Sequence, residues 1–328
     1  MVARTRRVPL GKVAGPVFAA ILFALAIRLL IGEIQNTTWA EFKSGLGSIQ
    51  PLYLGFAALL IAMNYALLIA YDLLALRYIC RSLPLRRVAL VSFLGYSLGN
   101  NLGSLLAATP LRFRFYGRWG LTKTNIVAVL GMLALTFWSG LWFLGGLVLV
   151  IAPIQLPPEY ALPFSTRVLG VLLLSMAATY LLTCWLWRRP WPVGGIKLVP
   201  PEPGLMATQA SVAAVDLLIS ATALYLVLPV GPQIYFSLVL AAYLTAIAVA
   251  IISQVPGGLG VLEIILWFLL KDAIGDRGQL AASLLIFRAL YYVLPLLFGM
   301  VTLVAHEIYA GTIESRTHPN APANGGVV

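Results

Sequence analysis

Long uncharged apolar runs alternate with short basic or polar segments along the whole chain. Six runs have the length of full membrane spans: 14–34, 52–76, 124–151, 168–187, 205–229 and 280–306. An α-helix needs roughly 20 apolar residues to cross a bilayer. Two more apolar runs, 88–109 and 235–271, are interrupted. The first is broken at Gly99-Asn100-Asn101-Leu102-Gly103 and ends at Pro110. The second is broken at Gln254-Val255-Pro256-Gly257-Gly258-Leu259-Gly260. Glycine and proline at such points end a helix and let backbones approach closely. The pattern therefore predicts three parts: a basic N-terminus (1–13), a polytopic all-α membrane domain (14–310) and a polar tail (311–328) expected to be disordered.

Composition strengthens this reading. Of 328 residues, 61% are apolar and 10% charged, against about 25% charged in a soluble domain. So few charges cannot cover a soluble surface, which excludes a cytosolic enzyme. The net charge is +11, with 17 Arg and 5 Lys. These cations lie in short segments between spans, the positive-inside signature of a membrane protein rather than a nucleic-acid footprint. Arg4, Arg6, Arg7 and Lys12 place the N-terminus in the cytoplasm, and the run after them is read as an uncleaved first span. Arg77, Arg81, Arg86 and Arg87 mark the cytoplasmic side again. If 88–109 crossed fully, Arg112, Arg114, Arg118 and Lys123 would lie outside. A re-entrant hairpin turning at the Asn-Asn break removes that conflict. A second hairpin, turning at the Pro-Gly-Gly-Leu-Gly break, would then enter from the opposite side. The expectation is six crossings plus two opposed hairpins, as in transporters built from broken helices. Eight ordinary spans are the alternative.

Candidate chemistry gathers at the breaks. The stretch 111–119 alternates basic and aromatic residues, and guanidinium binds phosphate through a planar fork. Arg112, Arg114 and Tyr116, with Asn100 and Asn101, are the candidate headgroup ligands; an interfacial anchor is the plainer reading. Gly99, Gly103, Pro110, Pro256, Gly257, Gly258 and Gly260 are the helix-breaking positions. Glu263 follows the second break by one turn, and Arg288 is its expected partner. Asp216 and Asn64 fall near the middles of their spans. An intramembrane acid is a candidate proton site or counter-ion, or else a packing residue. Asp72 is read as a structural neighbour of Arg77. Cys80 and Cys184 are isolated, and His306 and His318 lie near the C-terminal end, so no metal site and no catalytic triad is expected.

Two stretches carry a resemblance. Residues 95–103 running on to 112–122, and Pro256-Gly257-Gly258-Leu259-Gly260-Val261-Leu262-Glu263, resemble the membrane region of the lysylphosphatidylglycerol synthase/flippase family. The similarity extends over roughly 10–310. It implies a polytopic domain that moves lipids between leaflets, of the type lacking the C-terminal synthase domain. It also implies that Arg112, Arg114 and Tyr116 match the family's Arg-x-Arg-x-Tyr stretch and Glu263 its Gly-x-Gly-x-x-Glu acid. This chain departs from the family at Thr109-Pro110, where a glycine pair is common.

The expected function is therefore translocation of an anionic or modified phospholipid, or of a polyprenyl-linked lipid, across the bacterial inner membrane. Both termini are expected in the cytoplasm. No enzyme activity, cofactor or nucleic acid is expected. Membrane lipids are the expected partners, with a second copy or a lipid-synthesis enzyme as protein partners. The competing readings are a non-transporting membrane partner of a lipid-modifying enzyme, and an intramembrane lipid-modifying enzyme that uses Glu263 or Asp216 as base.

Overall fold

In a computed structural model, the chain is a polytopic α-helical membrane protein. The structure describes residues 47–317 apart from 48, 155–162, 188, 190, 194–195 and 230–233. The first expected span, 14–34, and the basic N-terminus lie outside the described residues. Its helices are α1 (Pro51–Tyr78), α2 (Leu85–Leu102), α3 (Thr109–Arg118), α4 (Lys123–Ile151), α5 (Thr166–Leu186), α6 (Pro203–Val227), α7 (Phe236–Ile252), α8 (Val261–Ile274), α9 (Arg277–Arg288) and α10 (Leu294–Thr317). Two three-residue strands, β1 (Trp191–Val193) and β2 (Ile196–Leu198), pair antiparallel between α5 and α6.

Among the described residues, five helices are long and apolar enough to cross a membrane. They are α1, α4, α5, α6 and the continuous segment Arg277–His306 formed by α9 and α10. Each matches one of the expected spans. Helix α10 continues to Thr317, past residue 311 where the polar tail was expected to begin. Residues 318–328 lie outside the described residues.

Each interrupted run folds back on itself as a helical hairpin. In the first, α2 ends at Gly103, whose φ of +92° suits glycine alone. The chain returns through a π turn, Ser104–Ala108, into α3. Three levels of contact fix the return. A Cβ on Gly99 would meet Ala108, a Cβ on Gly95 would meet the Arg112 guanidinium, and Arg87 stacks over the Trp119 ring. In the second, the chain turns through Pro256–Gly258, and a Cβ on Gly258 would lie 2.9 Å from that of Ala250.

Pairings across the bundle set the directions. The short loop 79–84 turns α2 back along α1, antiparallel to it, and Ser92 on α2 bonds the carbonyl of Leu68. Asn64 and Tyr71 on α1 bond Asp216 and Ser220 on α6, again antiparallel. Asn101 bonds the carbonyl of Tyr292, and Ser97 faces Gly299, so α9–α10 runs antiparallel to α2. Helix α8 is antiparallel to α9, joined to it by a tight turn and by the Glu263–Arg288 pair. The hairpin α2–α3 therefore opens at the end of the bundle where α1 finishes. The hairpin α7–α8 opens at the end where α1 begins. Close approach of small residues seals the remaining helices: Gly146 against Gly170 (α4 and α5) and Gly140 against Ala213 (α4 and α6).

Candidate functional site

The two hairpin tips touch. A Cβ on Gly257 would sit 2.6 Å from the carbonyl oxygen of Asn101 and 3.1 Å from that of Asn100. Gly257 has a φ of +65°, so only glycine allows this turn and this approach together. Gly103 meets Pro256 across the same junction. Asn101 turns its amide inward, donating to the carbonyls of Ser97 (2.8 Å) and Tyr292 (3.0 Å). The expected break residues Gly99, Gly103, Pro256, Gly257 and Gly258 are thus all at the junction or its arms. Pro110 sits inside the first turn of α3.

A proline also shapes the facing helix. The π turn Ala289–Val293 ends two residues before Pro295, as Ser104–Ala108 ends two residues before Pro110. Proline lacks the N–H that would serve the carbonyl four residues back. For Pro295 that carbonyl belongs to Tyr291, and the Tyr65 hydroxyl donates to it at 3.1 Å. Such turns commonly lie at functional positions in helices. Sequence reasoning missed both, although Pro295 inside an apolar run was a readable signal.

Glu263 sits beneath the second tip in the first turn of α8. Its carboxylate accepts the Gly260 N–H at 3.0 Å, capping the helix it begins. The same carboxylate pairs with Arg288, as expected from the sequence. Arg288 also stacks 4.8 Å over the Tyr292 ring and points toward the carbonyls of Gly257 and Gly258. One guanidinium thus ties α9, α8 and the second tip together.

Arg112 was expected at a headgroup, but the fold buries it against Asp72. Its Nε and Nη2 make a bidentate pair at 3.1 and 2.9 Å, and Tyr116 donates to the same carboxylate at 2.7 Å. The guanidinium also stacks over Tyr96. The returning arm of the hairpin brings Arg112 onto Asp72, which therefore pairs with Arg112 rather than Arg77. Arg114, two residues on, is exposed and lies over Phe115.

Asp216 and Asn64 meet, as neither position alone could reveal. Asn64 donates to Asp216 Oδ1 at 2.5 Å, and the Tyr71 hydroxyl donates to Oδ2 at 2.6 Å. Tyr291 donates to Asn64 Oδ1 at 3.0 Å and accepts from Ser220 at 3.1 Å. Tyr65, Tyr71, Ser220 and Tyr291 were not singled out in the sequence. The helical spacing was the available signal: 64 and 71 share a face of α1, and 216 and 220 a face of α6.

Two cavities open on the bundle, one of them bordering Tyr65. One of about 390 Å³ runs between α1, α2 and the start of α10, walled by Ala62, Tyr65, Phe93, Leu294 and Phe298. It is apolar, and Tyr65 forms part of its wall. The other, of about 700 Å³, opens at the end where α1 finishes, beside Arg77, Asn125 and Glu202. Among the described residues, no three His, Cys, Asp or Glu side chains come together as a metal site.

No family model matches the chain. It is 32% identical over 307 residues to the uncharacterized protein slr0712 of Synechocystis, covering 93% of this chain and 95% of that one. It is 28% identical over 310 residues to the inner membrane protein YbhN of Escherichia coli, covering 94% and 97%. Over 288 residues it is 23% identical to the phosphatidylglycerol lysyltransferase of Staphylococcus haemolyticus, covering 87% of this chain but 33% of that enzyme. The full-length match in sequence places this chain in the same membrane-protein family as slr0712.

Proposed function

We propose that the protein is a flippase-like lipid translocator of the bacterial inner membrane. Its cargo is an anionic or modified phospholipid, or a polyprenyl-linked lipid. The observation that carries the reading is the contact between two opposed hairpin tips inside the bundle. Broken helices whose ends meet at depth expose backbone carbonyls and amides where a continuous helix offers none. Those groups, with Asn100 and Asn101, can replace the water of a headgroup on its way between leaflets. Arg114, Arg118 and Arg87, around the open end of the first hairpin, attract the phosphate. Arg112 and Tyr116 hold the arm that carries Arg114, through Asp72. Glu263 and Arg288 latch the second tip, and release of that latch opens the path. The apolar cavity beside Tyr65 gives the lipid tails a place alongside the junction.

The relatives fit this reading. YbhN is an inner membrane protein by name, and the lysyltransferase is named for a reaction on phosphatidylglycerol. The test is the purified full chain in liposomes carrying a panel of labelled lipids. Faster leaflet exchange than in empty liposomes is the expected result, and exchange no faster than empty across the panel overturns it. Lipid extracts of a deletion strain separate the enzyme reading, which requires a missing lipid species. A stoichiometric protein partner, with no exchange by the isolated chain, favours the recruiting reading.

A further inference from the structure

We infer that Asp216 is a proton-binding site, and that its protonation is linked to the packing of the hairpin tips. The link serves the translocation reading and rests on it; the proton site stands on geometry alone. Three acids are buried among the described residues: Asp72, Glu263 and Asp216. Asp72 is held by Arg112, and Glu263 by Arg288. Among the described residues, the side-chain partners of Asp216 are neutral, the amide of Asn64 and the hydroxyl of Tyr71. A carboxylate among neutral donors in an apolar interior bears the cost of its charge without a counter-ion. One proton from water, bound at Oδ2, removes that charge.

The proton also changes the hydrogen-bond logic. An ionised carboxylate only accepts, whereas a protonated one donates from one oxygen. Tyr71, which donates to Oδ2, has to turn its hydroxyl when Oδ2 carries the proton. Asn64 bridges this carboxyl to the Tyr291 hydroxyl. Tyr291 lies in the π turn, whose Tyr291 carbonyl takes Tyr65 and whose Tyr292 carbonyl takes Asn101 of the first tip. The π turn is the element through which both ends act: the acid on one side, the tip on the other.

Among the described residues, the nearest other ionisable groups around Asp216 are mostly tyrosines. From α1 it faces Tyr71, with Tyr65 and the paired Asp72 beyond. Tyr96 of α2, Tyr243 of α7 and Tyr291 of the π turn lie within its electrostatic reach. Helix α4 carries one charged residue, Lys123 at its start, and α9 carries Arg277 and the latched Arg288. Arg167 begins α5, with Tyr180 and Cys184 toward its far end.

Infrared difference spectra across a pH titration test the site in the full chain in lipid. A protonated-carboxyl band that titrates in the wild type, vanishes in Asp216→Asn and persists in Glu263→Gln supports the proposal. A band unchanged in Asp216→Asn overturns it. Should that variant fail to fold, Tyr71→Phe decides: a moved midpoint supports the site, and an unmoved one overturns it. The link is read in liposomes under an imposed pH gradient. Wild-type lipid exchange changing severalfold, with Asp216→Asn indifferent to the gradient, supports it. Equal responses in both proteins overturn it. Should the wild type move no lipid, the translocation reading and the link fall together, while the infrared titration still decides the proton site.

Discussion

Among the described residues, the buried charges beside the first hairpin form one cluster, and its energetics follow from desolvation. Arg112 and Asp72 are almost fully shielded from solvent, at 3% and 0% relative exposure. Removing one member of such a pair strands the other, at a cost of roughly 3–5 kcal/mol, whereas neutralising both is often tolerated. Arg112→Ala is therefore expected to lower the thermal midpoint of the detergent-solubilised protein sharply. Asp72→Asn combined with Arg112→Gln should recover most of that loss. A double variant as unstable as the single one would show that Arg112 is not held chiefly by Asp72. This pair was not legible in the sequence. Arg77 is five residues from Asp72 and Arg112 is forty, so only the return of the hairpin reveals the true partner. The Glu263–Arg288 pair was legible, because a deep acid needs a cation and Arg288 lay on the next apolar run.

At the scale of elements, two glycines illustrate what a break requires. Gly117 lies exposed in α3, and a Cβ there would meet nothing within 4 Å. Gly257 combines a positive φ with a backbone oxygen 2.6 Å from any added Cβ. Gly257→Ala is expected to cost about 2 kcal/mol or more, from left-handed strain together with forced separation of the tips. Gly117→Ala should be neutral or stabilising by about 0.5–1 kcal/mol. Thermal unfolding of the two variants side by side measures the difference, and equal effects would remove the case for a tight junction. The positions of both breaks were readable, since Gly, Asn and Pro interrupt otherwise continuous apolar runs. The π turns were not read, because the sequence pattern shows where a proline sits but not how the freed carbonyl is satisfied. Here tertiary partners decide: Tyr65 reaches Tyr291 from 226 residues away.

For the whole molecule, the spans were legible because a bilayer demands long apolar helices and little else satisfies that pattern. What the pattern left open was whether the broken runs crossed or returned, and charge bias pointed to return. The packing agrees, and it has a consequence that can be measured from outside the cell. Arg81, Arg86, Arg87, Arg114 and Arg118 gather at the end of the bundle where α1 finishes and α2 begins. Asp272 and Asp276 lie at the other end, where α8 leaves its hairpin and α9 starts. In a background with Cys80 and Cys184 replaced by Ser, single cysteines at Arg86 and Arg118 should react with a membrane-impermeant thiol reagent from one side. A cysteine at Asp272 should react from the opposite side only. A cysteine at Leu105, 72% exposed at the tip of the first hairpin, should stay unreactive from both if the tip lies within the bilayer. Were α2–α3 a true crossing, Arg86 and Arg118 would label from opposite faces. Labelling of Arg118 and Asp272 from a common face would likewise mean that the hairpins do not oppose each other. The tips could then still touch, but no headgroup could pass from one to the other, and translocation would lose its physical basis.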